Sequence, residues 1–342
     1  MITTHDNFDL TSHNTFAMKV KCGCFMEYTS PDDIPFLLST IRHGVEWIHI
    51  GGGSNLLFTS DYPGVVLHSA IKGISITEET PEHVFVKVGA GEKMDDFIKW
   101  ACDQHLWGVE NLSGIPGEAG AAAVQNVGAY GMEAADAITK VFAYDNVNRE
   151  FVTIENRDDI CEYGYRTSIF KQEEKGRYVI HHVEFRLSKS PAPKIGYPAL
   201  KQRFDDQKME TLTTQQVREA IIKVRDSKLP DPAKVPSAGS FFKNPVITAE
   251  QFEHIKEAAN GIDVPNYKID ESYKIPAAWL IDQCGWKGYT QGNVAVWYLQ
   301  PLVIVNPDRE ATPQEIIELE QRIITSVKEK FGITLHPEVE HI

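Results

Sequence analysis

A chain of 342 residues is too long for one ordinary domain and predicts two or three. Hydrophobic residues at 42% and charged residues at 24% are proportions of a soluble globular protein, and no apolar run is long enough to span a membrane. A formal net charge of −14 argues against a general nucleic-acid binder, while leaving room for an anionic small substrate held by local cations.

The N-terminal stretch MITTHDNFDLTSHNTF has no basic region followed by an apolar one, so no secretory signal is expected. The five cysteines are scattered and odd in number, which favours a reducing compartment over disulfide staples. Cys22-Gly23-Cys24 lacks a second ligand pair at metal spacing and reads as a strand edge rather than a zinc site. Segments 45–50, 64–69 and 83–91 are rich in β-formers. They are followed by MDDFIKWACDQH, where Phe97, Trp100 and Ala101 recur at helical spacing. Segments 140–146 and 178–187 read as further strands. Residues 1–200 are thus expected to be mixed α and β.

From about residue 211 the pattern is helical. Val217, Ala220, Ile221 and Val224 share a face, and LPDP ends that helix. Thr248 and Gln251, and again Thr312 and Glu315, have capping-box spacing. Pro276 opens a helix that Gly285 closes. Ile316, Leu319, Ile323 and Val327 form one stripe of the last helix.

Two glycine clusters carry the first chemical signal. One is Gly51-Gly52-Gly53-Ser54-Asn55, directly after a strand. The other is SGIPGEAGAAAVQNVGAYG, residues 113–131. Glycine lets backbone N–H groups approach an anion closely and adopt positive φ, so the pair suits a pyrophosphate gripped from two sides. Tight turns and close packing are the alternative for either loop alone. Familiar templates are missing: there is no full G-x-G-x-x-G, no P-loop, no H-E-x-x-H, and no G-x-S-x-G around Ser240.

A specific resemblance joins these pieces. GGGSNLL, GIPGEAGAAAVQNVGAYG, YRTSIFK (165–171), KLPDP (228–232), AGSFFKNP (238–245), LIDQCGWKG (280–288) and PEV (337–339) stand in the order seen in the UDP-N-acetylenolpyruvoylglucosamine reductase family. The glycine loops alone indicate only the wider flavoprotein fold that resembles vanillyl-alcohol oxidase. The resemblance implies an α+β chain in three parts. These are an FAD-binding subdomain over 1–72, a second over 73–205, and a substrate domain over 206–342 whose tail returns to the active site. It implies non-covalent FAD and NADPH as hydride donor. The product would be UDP-N-acetylmuramate, made in the cytoplasm for peptidoglycan by an enzyme expected to be monomeric. KIGYPAL places Tyr197 in the extra tyrosine loop of the family's longer variant.

The cofactor contacts so implied are Gly51, Gly52, Gly53, Ser54 and Asn55 in the first loop. In and beside the second they are Gly114, Ile115, Pro116, Gly120, Ala121, Gln125, Asn126, Gly128, Ala129, Tyr130 and Gly131. Arg225 is expected near the flavin. Tyr197, Lys228, Asn244 and Gln283 are the implied substrate contacts.

The resemblance implies three catalytic residues, Arg166, Glu338 and Ser240; on the sequence alone Arg166 reads as a surface ion pair and Glu338 as a solvated glutamate. Hydride delivered to an enolpyruvyl methylene leaves an electron pair on the adjacent carbon, spread into the carboxylate. Stabilising that charge is usually the largest catalytic contribution. Arg166 offers a planar, bidentate grip on the carboxylate, and Glu338 helps as a protonated acid. By resemblance Ser240 gives the final proton to carbon. On its sequence alone, Ser240 reads as a turn serine capping a backbone N–H. Two departures stand out. Glu118 lies within the second glycine loop and is expected to face solvent, and Glu340 stands where some relatives carry arginine. The rival readings are an alcohol or lactone oxidase of the same fold and a non-catalytic nucleotide-sugar binder.

Overall fold

The computed structural model describes residues 1–204 and 212–342. The chain forms two compact units. The first comprises 1–8, 22–52 and 63–225; the second comprises 9–21, 53–62 and 226–342. The expected boundary at 205/206 lies outside the described residues.

The first unit is built on two sheets. One has four strands in the order Ile2–Asp9, Lys21–Tyr28, Tyr62–Ser69, Trp47–Ile50, and its last two strands run parallel. Cys22 and Cys24 therefore lie on an interior strand, not at an edge. The misreading is physical: their partner strand Ile2–Asp9 is almost wholly exposed on its side chains, so it gives no hydrophobic signal. The other sheet has five antiparallel strands in the order Glu150–Glu155, Ile138–Asp145, Tyr178–Ser188, His83–Gly89, Ile74–Glu79. The helix Met94–Asp103 buries Met94, Phe97, Ile98, Ala101 and Cys102. They join Val84, Val86, Val88, Val183 and Phe185 of the sheet in one core. Apolar area removed from water is the main force holding these layers together.

The helix Thr214–Asp226 buries Val217, Ala220 and Ile221 against Trp107, Leu200 and Phe204. These partners place it in the first unit, whereas the sequence reading put it with the substrate domain.

The second unit holds the helices Ala249–Ala258, Ala277–Gln283 and Pro313–Phe331 with short strands around them. Both capping boxes form: Thr248 with Gln251, and Thr312 with Glu315. The stripe Ile316, Leu319, Ile323, Val327 is fully buried. Among the described residues no helix is long and apolar enough to cross a membrane.

Candidate active site

In the first unit the two glycine loops come together. A Cβ on Gly51 would stand 3.0 Å from Cβ of Ala121 and 3.2 Å from Oε2 of Glu118. One on Gly52 would stand 3.9 Å from Cα of Gly117. Side chains here would fill the narrow space between the loops. The backbone N–H groups of Gly52 and Gly117 donate to no acceptor among the described residues. Such amides, on glycines that put no side chain of their own into the cleft, are donors suited to a diphosphate. The residues present therefore fit FAD.

Other glycines of the second loop answer to the fold. A Cβ on Gly120 would sit 2.8 Å from Cβ of Ala90, so the helix Ala119–Gln125 can approach its neighbour only without one. Tyr130 (φ 51°) and Gly131 (φ 80°) form a two-residue turn closing the hairpin of Gly128–Ala129 and Met132–Glu133. Asn126 ends the helix in the left-handed conformation (φ 45°). Its fully buried side chain bonds Glu133, Gly164 and the N–H of Ala135. Of the remaining implied contacts, Ile115 donates its N–H to Leu112 O at 3.3 Å, and Gln125 closes the helix.

The second loop has an anchor that sequence reasoning missed. Asp95 accepts the N–H of Gly114 at 2.6 Å and both ends of the Arg218 guanidinium, at 2.5 and 2.8 Å. Burial works against its charge, but Arg218 and the Gly114 N–H outweigh it and hold the carboxyl below its ordinary value. On the same helix, Arg225 has Nε 3.2 Å from where a Gly114 Cβ would stand, and it hydrogen-bonds the Tyr130 hydroxyl. Tyr197 meets Tyr130 edge to face, ring centroids 5.2 Å apart. Asn111 ties this corner together by donating to Tyr130 O and Lys194 O.

Arg166 occupies a two-residue turn between Gly164 and Thr167, with φ at 59°. A non-glycine residue held there carries strain, a frequent feature of functional positions. Its guanidinium donates to Gly128 O, and its Cζ lies 5.2 Å from the Tyr165 ring centre. A Cβ on Gly128 would stand 2.9 Å from Arg166 Nη1, so that glycine clears the space the guanidinium fills.

Ser240 and Glu338 are brought together in the second unit. Ser240 bridges Val303, and Phe241 N donates to Leu302 O at 2.8 Å. Glu338 N donates to Phe241 O at 2.8 Å, and Lys243 N to His336 O at 2.9 Å. Phe241 and Phe242 are 0% and 1% exposed, so the segment is pinned on both sides of its backbone bonds. Gly239 precedes Ser240 with φ at 72°, a turn that glycine adopts without strain. Ser240 itself is half-buried. The tail is held from its other side by the first glycine cluster. Asn55 Nδ2 donates to Glu338 O at 3.0 Å, Glu340 N donates to Asn55 O at 3.0 Å, and Glu340–His341 runs parallel to Leu56–Leu57. Gly53 is required here for a different reason: with φ at 63°, its Cβ would fall 2.0 Å from His13 O.

Of the implied substrate contacts, Tyr197 lies in the first unit and Lys228, Asn244 and Gln283 in the second. Asn244 Oδ1 accepts the N–H of Ala277, at the start of the helix that Gln283 ends. Helical rise puts those two positions roughly 10 Å apart. Lys228 is exposed, and its carbonyl accepts the Trp297 indole N–H at 3.0 Å. Tyr197 is 37% exposed.

Glu118 corrects an expectation. It does not face solvent: its side chain is 12% exposed and bonded through Oε1 to His68 Nε2 at 3.2 Å. No local pattern signals this pair, because the partners lie 50 residues apart.

Residues 23–147 match a family described as FAD binding domain. Residues 231–342 match the UDP-N-acetylenolpyruvoylglucosamine reductase, C-terminal domain family. The UDP-N-acetylenolpyruvoylglucosamine reductase of Bacteroides fragilis is 44% identical over 341 residues, 98% of this chain and 99% of the relative. That of Porphyromonas gingivalis is 40% identical over 338 residues, 98% of each chain. The crystal structure of the Thermus caldophilus enzyme superposes with a TM-score of 0.68 at 20% identity, covering 100% of this chain and 98% of the other. That last likeness is one of fold. The molecule is an FAD-dependent oxidoreductase. It belongs to the UDP-N-acetylenolpyruvoylglucosamine reductase family.

Proposed function

We propose that this chain reduces UDP-N-acetylglucosamine enolpyruvate to UDP-N-acetylmuramate, using NADPH and non-covalent FAD. When bound, FAD supplies the hydride that NADPH provides and the substrate's terminal methylene accepts. The substrate is left with an electron pair on the carbon bearing the carboxylate. Arg166 grips that carboxylate with two parallel N–H bonds, and Glu338, protonated, donates to it. Ser240 Oγ gives its proton to the carbon, and the serine recovers a proton from solvent. Tyr197 and Lys228 bind the diphosphate, with Asn244 and Gln283 contributing hydrogen bonds. Arg225 would lie beside the FAD and supply a positive charge there.

The observation that carries this reading is the setting of Ser240. It stands next to two buried phenylalanines, on a backbone segment bonded directly to Glu338. A proton donor to carbon must be positioned more than it must be acidic, because the carbanion-like carbon is a strong base. Family membership supports a role in peptidoglycan precursor synthesis; work in the cytoplasm and as a monomer is part of the proposal. The net charge of −14 suits a small-molecule partner better than nucleic acid.

The test is anaerobic absorbance. Wild type reduced with NADPH returns to the oxidised spectrum on adding UDP-N-acetylglucosamine enolpyruvate. Ser240→Ala bleaches normally and stays bleached. A wild-type protein that NADPH cannot bleach, or that reoxidises only with oxygen, refutes the proposal.

A further inference from the structure

His68 lies beside the glycine loops yet takes no part in the chemistry above. It sits on the strand Tyr62–Ser69 with its side chain 13% exposed. Its Nδ1 meets Glu27 Oε2 at 2.8 Å and its Nε2 meets Glu118 Oε1 at 3.2 Å. One imidazole thus spans two carboxylates, and both ring nitrogens must donate to satisfy them. Only the imidazolium can do so.

Glu118 is the partner that matters for the cofactor. It follows Gly117 directly, and its Oε2 would stand 3.2 Å from a Gly51 Cβ. A carboxylate there sits among amides that offer their N–H groups to a diphosphate. Left uncompensated, it repels that diphosphate and competes for the same donors.

We propose that His68 is a positioning residue of the cofactor site, an imidazolium that neutralises and restrains Glu118 so that the glycine-loop amides remain available to the FAD diphosphate. This rests on the FAD dependence established above.

The surroundings agree. Burial acts first to strip the proton from His68, but hydrogen bonds and charge from Glu118, then Glu27, outweigh it and leave the group raised from 6.5. From the adjacent strand faces His49, bonded to the Tyr28 hydroxyl at 3.0 Å. Burial, then the charge of His68, pushes His49 down to about 4, so it stays neutral. Tyr28 is raised by burial and stays neutral also. Phe25 stacks on the imidazole with ring centres 6.1 Å apart. The imidazolium therefore persists to higher pH than that of a free histidine and is lost as pH rises through the raised value.

The experiment uses apoprotein of wild type, His68→Gln, Glu118→Gln and the double variant. FAD affinity is read by quenching of flavin fluorescence between pH 6.5 and 9. Wild type weakens by about tenfold as pH rises, the effect of one charge near the diphosphate. His68→Gln binds FAD weakly throughout; Glu118→Gln binds tightly with a flat profile, and the double variant recovers tight binding. A histidine that served only to pack would show no such rescue. Affinity of His68→Gln equal to wild type, or a double variant no tighter than His68→Gln, overturns the proposal. If His68→Gln does not fold, the two remaining profiles decide: parallel pH dependence in wild type and Glu118→Gln overturns it. Wild-type apoprotein that takes up no FAD at all overturns the cofactor reading as well.

Discussion

Replacing Asp95 tests how the second glycine loop is held. Its carboxylate makes two bonds to Arg218 and one to the Gly114 N–H. The side chains of Arg218 and Asp95 are 13% and 37% exposed, between a surface pair and a buried one. That geometry makes the pair worth about 1–2 kcal/mol. The charge-assisted bond to Gly114 adds about 1 kcal/mol. Asp95→Ala should therefore destabilise the first unit by about 2–3 kcal/mol. Asp95→Asn keeps an oxygen for Gly114 and should cost about 1–2 kcal/mol. Urea unfolding followed by far-UV circular dichroism reads the difference, and stopped-flow fluorescence should show FAD leaving faster from the alanine variant. Equal stability of the two variants would refute the division between the pair and the Gly114 bond. A loss below about 0.5 kcal/mol in both would remove the anchor altogether.

Arg166→Lys should lower substrate turnover by about a hundredfold, since a single ammonium cannot make the planar two-bond grip, with NADPH bleaching unchanged. Asp145 is held at about 2, first by its hydrogen bonds to Arg177. Because its folded value is depressed, its stabilisation is present above the ordinary 3.8 and is lost as pH falls towards 2. Unfolding free energy measured across that window should fall for wild type and be flatter for Asp145→Asn. Gly53→Ala should destabilise the second unit by about 3 kcal/mol or more, from a left-handed alanine and a Cβ driven into His13 O. Calorimetry showing a normal transition would count against this.

Local patterns revealed the elements and much of the site, but not their grouping. Capping boxes and the stripe of Pro313–Phe331 are written in neighbouring residues, so they could be read directly. The segments 9–21 and 53–62 join the C-terminal part through contacts with no local signature. Asn306 shows why: its buried side chain donates to Phe16 O at 2.9 Å and accepts the Ala311 N–H at 3.0 Å, and in sequence it is simply a polar residue between Val305 and Pro307. The two glycine clusters were legible as wholes and ambiguous in their parts. Gly52 and Gly117 leave backbone donors open, while Gly120 and Gly131 serve packing and a turn. Sequence alone cannot separate these uses, because the distinction lies in what a Cβ would meet. His68, Glu27 and Glu118 were unreadable for the same reason: their alignment depends on strand order.

The clasp between Asn55 and Glu338 joins residues 283 positions apart. At ribosomal speeds of about 5–20 residues per second, Asn55 waits roughly 15–60 s for its partner to be made. The first unit's residues 63–225 are synthesised in that interval and can fold while the clasp is open. The backbone lock on Glu338 is thus among the last native contacts a nascent chain can make. A ribosome stalled late in the message would hold a polypeptide whose first unit is fully synthesised and whose Glu338 is not yet made.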